Sequence, residues 1–271
     1  MIRSRVAEMA KIRFCTLFSG SSANCTYVEV NGNAVLIDAG AGVKKTEQAL
    51  RQIGSGYDKI RGVFVTHEHS DHISGLKTIL KYHTIPVIAN PATISGFYGL
   101  SEFEKCFCSM PTGSCAENGD FRITSFSSSH DSAECVGYVI ETGKNKLGIL
   151  TDCGQLSAEM MNALAGCEAV VLESNHDVDM LMNGSYPYPL KKRVAGTGGH
   201  LSNDQCAQGL CQLVHTGVKQ VFLAHLSKEN NTPQLALETV CRVLSEHGVK
   251  VDTDVQVRVA PRDHVSEMLE F

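Results

Sequence analysis

The sequence predicts an α/β (α+β) fold in which helices lie outside two packed β-sheets. Two observations predict this class: short apolar runs typical of strands dominate the first half of the chain, and strands alternate with helices after them. The chain has 271 residues, of which 43% are hydrophobic, so it can bury a sizeable core. We expect a flexible N-terminal lead-in at residues 1–12 and a single domain over residues 13–271.

The first half of the chain is rich in strands. Asn31 and Gly32 lie between two apolar runs, and an Asn-Gly pair in that position is a strong β-hairpin signal. Further along, Leu76, Ile79 and Leu80 recur at the spacing of one helix face. The predicted elements are, in chain order, the hairpin strands within residues 14–40, a strand at 60–69, a helix at 74–83 and a strand at 85–90.

The second half begins with strands and then alternates helix and strand. Ser202 and Gln205 form a predicted capping box at the start of one helix, and Pro233 begins the next. Gly217 and Gly248 follow these two helices, as expected at helix ends. The predicted elements are strands within residues 121–130 and 135–154, a helix at 158–166, a strand at 168–177, a helix at 202–217, a strand at 219–227, a helix at 232–248 and a strand at 255–261.

Composition and charge exclude several classes of protein. No apolar run reaches the roughly 18 residues that a membrane helix needs, and the basic N-terminal stretch lacks the apolar segment of a secretory signal. The net charge of −5 excludes a generally basic nucleic-acid coat protein but is compatible with a local basic groove. The eleven cysteines include no C-x-x-C pair. We therefore expect reduced thiols in a cytoplasmic protein, with no membrane attachment and no secretion.

The stretch THEHSDHISG concentrates side chains that bind metal ions. So many polar groups beside a buried strand are costly unless something ties them together, and a metal ion does so. Residues i and i+2 at a strand end point the same way, so His67 and His69 can bind one ion. Asp71 and His72 follow at the turn into the helix and can face a neighbouring ion. Glu68 alternates with the histidines and is expected to point away.

Three more candidate ligands share one context, a polar side chain at the end of an apolar strand. They are His130 after FRITSFSSS, Asp152 after KLGILT and His225 after KQVFLA. Active-site groups commonly lie at such strand ends. Each residue alone would more often be structural, but the set in this order indicates a metal site.

In this order, HEHSDH, His130, Asp152 and His225 resemble the signature of the metallo-β-lactamase superfamily, H-x-H-x-D-H followed by a His, an Asp and a His. Asp38 in LIDAG resembles the first motif of that family, and the match spans roughly residues 14–260. The resemblance implies a four-layer αββα sandwich with a two-metal site at one edge, between the sheets. It also implies hydrolysis of an ester-like bond.

The resemblance further implies a role for each residue of the site. The first metal ion would be held by His67, His69 and His130, the second by Asp71, His72 and His225, and Asp152 would bridge the two. Asp38 would orient a ligand histidine through its ring N–H. Two such ions can hold a bridging hydroxide as the nucleophile and stabilise charge on the attacking and leaving oxygens. The ligand types fit Zn²⁺, Mn²⁺ or iron.

Two further stretches favour phosphodiester cleavage. AVVLESNHD resembles the acidic strand end of the tRNA-maturing endonucleases and phosphodiesterases of the superfamily, with Glu173 in the acidic position. GTGGHLSNDQ places a glycine-rich turn and His200 before a helix N-terminus, where backbone N–H groups favour an anion such as phosphate. His200 could contact the scissile phosphate or protonate a leaving group. The candidate catalytic residues are therefore Asp71, Glu173 and His200.

The combination of FSGSSANC, THEHSDHISG, LTDCG, ESNHD, GHLSN and HLSKENN closely resembles the YycJ/WalJ group of this superfamily. That group is described as bacterial 5′→3′ exonucleases on double-stranded DNA, with a proposed link to mismatch repair, so the resemblance implies a DNA substrate. The candidate substrate-binding residues are Ser21, Ser22, Asn24, His176, His200, Lys228 and Asn231. Ordinary loop, helix-capping or structural roles are the alternatives for these residues.

A DNA enzyme needs positive surface near its site. The stretch YPYPLKKRVAG supplies Lys191, Lys192 and Arg193, with Tyr186 and Tyr188 interleaved. Aromatic rings can stack on bases, so this stretch is a candidate nucleic-acid contact. A solvated charged face is the alternative.

Residues at the site also separate the classes within the superfamily. His69 stands where flavodiiron members have glutamate, and Asp152 stands where many β-lactamases have cysteine. The leading hypothesis is therefore a two-metal phosphodiesterase. A small-molecule hydrolase of thioesters, lactones or cyclic phosphodiesters is the alternative, and a metal-binding scaffold without turnover is the remote one.

Overall fold

Two seven-stranded β-sheets form the centre of the computed structural model, which describes residues 10–118 and 120–271. The strands are β1 Arg13–Phe18, β2 Cys25–Val30, β3 Asn33–Ile37, β4 Ile60–Phe64, β5 Val87–Ala89, β6 Phe107–Ser109, β7 Cys115–Asn118, β8 Phe121–Ser127, β9 Val136–Thr142, β10 Asn145–Leu150, β11 Ala169–Glu173, β12 Gln220–Ala224, β13 Gln256–Val259 and β14 Leu269–Glu270. The first sheet has the order β14-β1-β2-β3-β4-β5-β6, and the second has the order β13-β12-β11-β10-β9-β8-β7.

Nine helices are found in the described part of the chain. They are α1 Val43–Gln52, α2 Ser70–Ile73, α3 Leu76–Tyr82, α4 Pro91–Ser95, α5 Ala158–Leu164, α6 Val178–Asn183, α7 Tyr188–Val194, α8 Asn203–His215 and α9 Pro233–Glu246. Among the described residues, no helix is both long and apolar enough to cross a bilayer. Residues 1–9, most of the predicted lead-in, lie outside the described residues.

Alternate residues of each strand face different layers of the sandwich. In β3, Leu36 packs with the helices outside the first sheet, whereas Val35 and Ile37 face the second sheet. In β12, Leu223 packs with the helices outside the second sheet, and Phe222 faces the first. The strands are apolar on both faces for this reason and read as continuous apolar runs. The predicted four-layer αββα fold is confirmed.

Local signals were confirmed where backbone chemistry determines them. Asn31 and Gly32 both have positive φ, 51° and 80°, as the tight turn between antiparallel β2 and β3 requires. The predicted capping box of Ser202 and Gln205 is present at the start of α8.

All eleven cysteines are free thiols, and seven of them are buried. The sequence did not predict α1, because its ten residues bury no more than a threonine, an alanine and a leucine.

The parallel parts of the two sheets determine where the polar residues lie. β3, β4 and β5 are parallel in the first sheet, and β10, β11 and β12 are parallel in the second. Carboxyl ends of parallel strands meet at one edge of a sheet, so side chains that follow these strands are brought close together.

Close backbone contacts join α2 to the loop before β2 and to the loop after β3. The carbonyl oxygen of Asp71 accepts a hydrogen bond from the backbone N–H of Asn24, and that of His72 accepts one from Ala39, both at 2.8 Å. A Cβ atom on Gly40 would lie 1.8 Å from the carbonyl oxygen of Asp71. Glycine is therefore required at this position for the two segments to meet.

Replacing Gly40 with alanine should lower the free energy of unfolding by about 1–3 kcal/mol or more, because the new Cβ has no space beside the Asp71 carbonyl. Gly42→Ala is the matched control, since the nearest atom to its Cβ would be Thr78 Oγ1 at 3.4 Å. Urea unfolding of both variants measures the difference. Equal losses in the two variants would contradict the proposed close contact.

Candidate metal centre

The polar residues that follow the strands meet at one edge of the sandwich. His67 and His69 follow β4, His130 follows β8, Asp152 follows β10 and His225 follows β12. Together with neighbouring carboxylates and imidazoles, they form four overlapping groups in which the possible ligand atoms all lie within 4.8 Å of one another. The structure therefore brings together side chains that are far apart in the sequence.

The first group consists of His67, His69 and His130. His130 Nε2 lies 3.3 Å from His69 Nδ1. His67 is fully buried, and its Nε2 has no hydrogen-bond partner among the described residues. A buried ring nitrogen without a partner is costly in the folded protein, and a divalent cation at this point would satisfy it.

The second group consists of Asp71, His72 and His225. Asp71 Oδ2 lies 3.4 Å from Nε2 of both histidines. Asp152 lies between the two groups, with its Oδ2 3.0 Å from His72 Nε2 and its Oδ1 3.6 Å from His130 Nε2. Within the described chain, Asp152 Oδ2 is buried and accepts no hydrogen bond. A carboxylate with one oxygen towards each group has the geometry of a ligand shared by two ions.

The Nδ1 atoms of three of these histidines are held by oxygen acceptors. His72 donates to Asp38 Oδ2 at 2.7 Å, His130 to the carbonyl oxygen of Gly199 at 2.9 Å and His225 to Glu173 Oε1 at 2.8 Å. Carbonyl and carboxylate oxygens accept, so each Nδ1 carries a proton, and Nε2 is the nitrogen of each ring that is left to bind a metal ion. Fixed ring orientation of this kind is typical of metal-binding histidines, and the donor set fits two divalent ions.

Asp38 supports the candidate metal ligands that the first sheet provides. Its Oδ1 accepts a hydrogen bond from the backbone N–H of Thr66 at 2.8 Å, and its Oδ2 accepts one from Thr66 Oγ1 at 2.9 Å. Thr66 Oγ1 in turn lies 3.0 Å from His67 Nδ1. Through these contacts, one buried carboxylate orients both His67 and His72.

Glu173 supports the histidines that the second sheet provides. Its Oε1 accepts hydrogen bonds from Nδ1 of His200 and of His225, each at 2.8 Å, and its Oε2 accepts from the backbone N–H groups of Cys153 and Leu201. Burial would raise the pKa of Glu173, but His200 and His225 lower it to about 2. Glu173 is fully buried, so it contacts the two rings and acts through them.

Protons and metal ions compete for the same nitrogen atoms. Burial alone would lower the pKa of His72 and of His225, but facing carboxylates, Asp152 first among them, raise both above the usual value. For His67, burial and the neighbouring His72 lower the pKa. A metal ion must displace protons from His72 and His225, so metal affinity should fall as the pH falls.

A cavity of about 210 Å³ opens beside the centre. It is lined by Ser21, His69, Asp71, His130, Asp152, Asn175, Tyr186, Arg193, Val194, His200, His225, Ser227 and Asn230. Of the predicted substrate-binding residues, the structure brings Ser21 and His200 to this cavity. Tyr186 and Arg193, from the predicted basic and aromatic stretch, also line it.

The remaining predicted substrate-binding residues are not among the lining residues. They are Ser22, Asn24, His176, Lys228 and Asn231. Asn24 is buried, and its Nδ2 donates to Asp71 Oδ2 at 3.1 Å, so it supports a candidate ligand. Asn231 is buried and donates to backbone carbonyl oxygens, whereas Asn230 lines the cavity in its place. Neighbouring residues in a loop point in different directions, which the sequence pattern did not resolve.

The loop that carries His130 is fixed at two further points. Glu68 points to this loop and away from the candidate ligands, as its alternation with the histidines predicted. Its Oε1 accepts a hydrogen bond from the backbone N–H of Ala133 at 2.8 Å. The backbone N–H of Asp131 donates to the carbonyl oxygen of Gly198 at 2.9 Å. These contacts fix the position of His130 relative to both sheets.

Comparison with known proteins identifies relatives of this chain. A family model described as a beta-lactamase superfamily domain matches residues 33–226. The exodeoxyribonuclease YycJ of Bacillus anthracis is 36% identical over 248 residues, which cover 89% of this chain and 92% of that protein. The exodeoxyribonuclease WalJ of Streptococcus pneumoniae serotype 2 is 31% identical over 263 residues, which cover 96% of this chain and 98% of that protein.

A solved structure shows the same fold. The metallo-β-lactamase fold protein YhfI of Bacillus subtilis superimposes with a TM-score of 0.72 at 17% sequence identity, covering 97% of this chain and 100% of that one. At this identity the similarity concerns the fold, and it agrees with the two packed sheets described above.

Replacing Asp38 with alanine should weaken metal binding by about 10–100-fold, because His72 loses the carboxylate that fixes its ring. Calorimetric titration of metal-stripped protein with Zn²⁺ measures this affinity. Asp263→Ala, at an exposed carboxylate, is the matched control and should bind as the unmodified protein does. An unchanged affinity in a folded Asp38→Ala protein would show that the carboxylate has no orienting role.

Proposed function

This chain belongs to the metallo-β-lactamase superfamily, and from that membership and the geometry of its centre we propose that it is a two-metal hydrolase that cleaves phosphodiester bonds, acting as a 5′→3′ exonuclease on double-stranded DNA. The family resemblance predicted from the sequence is confirmed. Two relatives that match nearly the whole chain are named exodeoxyribonucleases, which supports DNA as the substrate.

The metal ligands follow from the two groups and the residue between them. We assign His67, His69 and His130 to one ion, Asp71, His72 and His225 to the other, and Asp152 to both. Bound divalent ions would lower the pKa of a water molecule and offset the negative charge of the phosphate. The identity of the ions is proposed as Zn²⁺ or Mn²⁺, with iron also compatible with these ligands.

The position of His200 is the observation that carries the proposal. It lines the cavity beside the candidate ligands, and Glu173 holds its Nδ1 at 2.8 Å. Burial would lower the pKa of His200, but the neighbouring Glu173 carboxylate raises it. An imidazole held in this position can contact the scissile phosphate and, when it carries a proton, give that proton to the leaving oxygen. Such a group is useful for cleaving a phosphodiester, whose leaving alkoxide is a strong base.

Asp71 is placed to act on the attacking side. Its carboxylate lines the cavity and is partly exposed, while its Oδ2 also faces His72 and His225. A carboxylate in this position can orient a water molecule and accept its proton. We therefore expect Asp71 to act on the attacking water molecule and His200 to act on the leaving oxygen.

The exonuclease activity should be detectable on 5′-phosphorylated duplex DNA in the presence of Mn²⁺. His67→Ala and Asp71→Ala should each lower the rate of nucleotide release by about a hundredfold or more, because each removes a proposed ligand of one ion. The release of nucleotides over time measures the rate, with the exposed Asp263→Ala as control. Hydrolysis of a thioester or lactone without cleavage of any nucleic acid would favour the small-molecule alternative.

His200→Ala should lower the turnover of DNA by about 10²–10⁴-fold, because the leaving oxygen loses its proton donor. The loss of turnover should be much smaller on a substrate in which sulfur replaces the leaving 3′ oxygen, since a thiolate leaves without protonation. The ratio of the two losses is the measurement, and His215→Ala on the exposed side of α8 is the matched control. Equal losses on both substrates would mean that His200 does not act as the acid.

A further inference from the structure

We propose that residues 178–194, here called the arm, form the surface that holds the end of the DNA strand beside the metal centre, with Tyr188 stacking on a base. This inference rests on the proposed function and adds to it the part of the protein that grips the substrate. The arm consists of α6, α7 and the segment that joins them.

Exposed large hydrophobic side chains are concentrated in the arm. Five large hydrophobic side chains are exposed in the part of the chain that the structure describes, and three of them, Val178, Met182 and Tyr188, belong to the arm. Tyr188 is 76% exposed. A concentration of exposed hydrophobic side chains within 17 residues commonly marks a binding surface.

The arm is continuous with the cavity of the metal centre. Tyr186 and Arg193 both line that cavity. The cavity of about 210 Å³ is smaller than the roughly 300–1,000 Å³ of typical ligand pockets, so it can take a phosphate and part of a nucleotide. The rest of a DNA substrate must lie on the surface around the opening, and the arm forms one side of it.

The arm is held in place on the protein. Its Leu181 is fully buried, and a Cβ atom on Gly184 would lie 3.0 Å from Oδ1 of Asn230, which lies outside the arm. Arg193 Nη2 donates to Asp131 Oδ1 at 3.1 Å, which ties the arm to the loop that carries His130. The exposed side chains are therefore presented from a fixed base, and little conformational entropy is lost when they bind.

The charge of the arm favours a polyanion as its occupant. Lys191 and Lys192 are basic and Asp179 is its one acidic residue, while Arg193 is paired with Asp131 outside the arm. The whole chain, by contrast, has a net charge of −5. Exposed aromatic rings interleaved with positive charges are the combination that binds single-stranded nucleic acid, through stacking on bases and contacts with phosphates. The end of a DNA strand, whose terminal bases separate easily, offers both partners.

Direct DNA binding tests the inference independently of cleavage. The probe is a fluorescent duplex with a short 5′ overhang and uncleavable phosphorothioate linkages at both ends, and the readout is fluorescence anisotropy. Tyr188→Ala should raise the Kd by about tenfold, whereas Tyr188→Phe, which keeps the ring, should stay within about twofold of the unmodified protein. Tyr82→Ala is the matched control, because Tyr82 is 68% exposed but lies at the end of α3, outside the cavity lining.

The salt dependence of binding tests the charged part of the arm. Lys192→Ala should lower the slope of log K against log salt concentration by about one, because one phosphate contact is lost. Lys81→Ala, at an exposed lysine beside Tyr82, should leave the slope unchanged.

An unchanged Kd in Tyr188→Ala, or an equal rise in Tyr82→Ala, would overturn the inference, and so would a lack of DNA binding by the unmodified protein. A parallel cleavage assay on unmodified DNA distinguishes failure of this inference about the arm from failure of the proposed exonuclease function. Binding that depends on Tyr188 without any cleavage would support the arm and contradict the exonuclease activity.

Discussion

Four hydrogen bonds accepted by the buried carboxylate of Glu173 hold one side of the metal centre together. They come from the rings of His200 and His225 and from the backbone of Cys153 and Leu201, which belong to three separate segments of the chain. A buried carboxylate that lacks such partners costs several kcal/mol, so the three segments can pack as observed when all four donors are in place. The candidate metal ligand His225 and the candidate acid His200 are therefore both held in position by Glu173.

The first sheet has a matching arrangement around Asp38. This carboxylate accepts hydrogen bonds from Thr66 and His72, and Thr66 contacts His67. Each sheet therefore contributes one buried carboxylate that orients imidazole rings towards the gap between the sheets. Asp152 lies in this gap, and its Oδ2, 3.0 Å from His72 Nε2, has no hydrogen-bond partner among the described residues. Because the rings are oriented by the protein itself, ion binding needs little rearrangement of the side chains. The negative charge collected at this edge is in turn a reason for cations to bind there.

The sequence was informative where local chemistry determines structure. Apolar runs, the Asn-Gly turn and the capping box predicted elements correctly, because each reflects a property of a few adjacent residues. The pattern of polar residues at strand ends predicted which side chains lie close together, since parallel strands bring their carboxyl ends to one edge of the sheet. The sequence was less informative in loops, where Asn230 lines the cavity and Asn231 faces the backbone instead. In such segments the direction of a side chain depends on backbone angles that tertiary contacts determine. The helix α1 was missed because so little of it is apolar.

Backbone angles at the site explain why strand ends suit this chemistry. Asp38, Asp152 and His225 have φ of 64°, 56° and 57°, and they account for three of the five non-glycine residues with positive φ in the described chain. Each follows a central parallel strand, where the chain must turn sharply for the side chain to enter the gap between the sheets. This left-handed conformation costs most residues about 1–3 kcal/mol, but aspartate, asparagine and histidine adopt it several times more often than other non-glycine residues. Aspartate and histidine are also the oxygen and nitrogen ligands that divalent metals require. Backbone geometry and metal chemistry therefore favour the same residue types at Asp152 and His225, while at Asp38 the backbone geometry favours the carboxylate that orients His72.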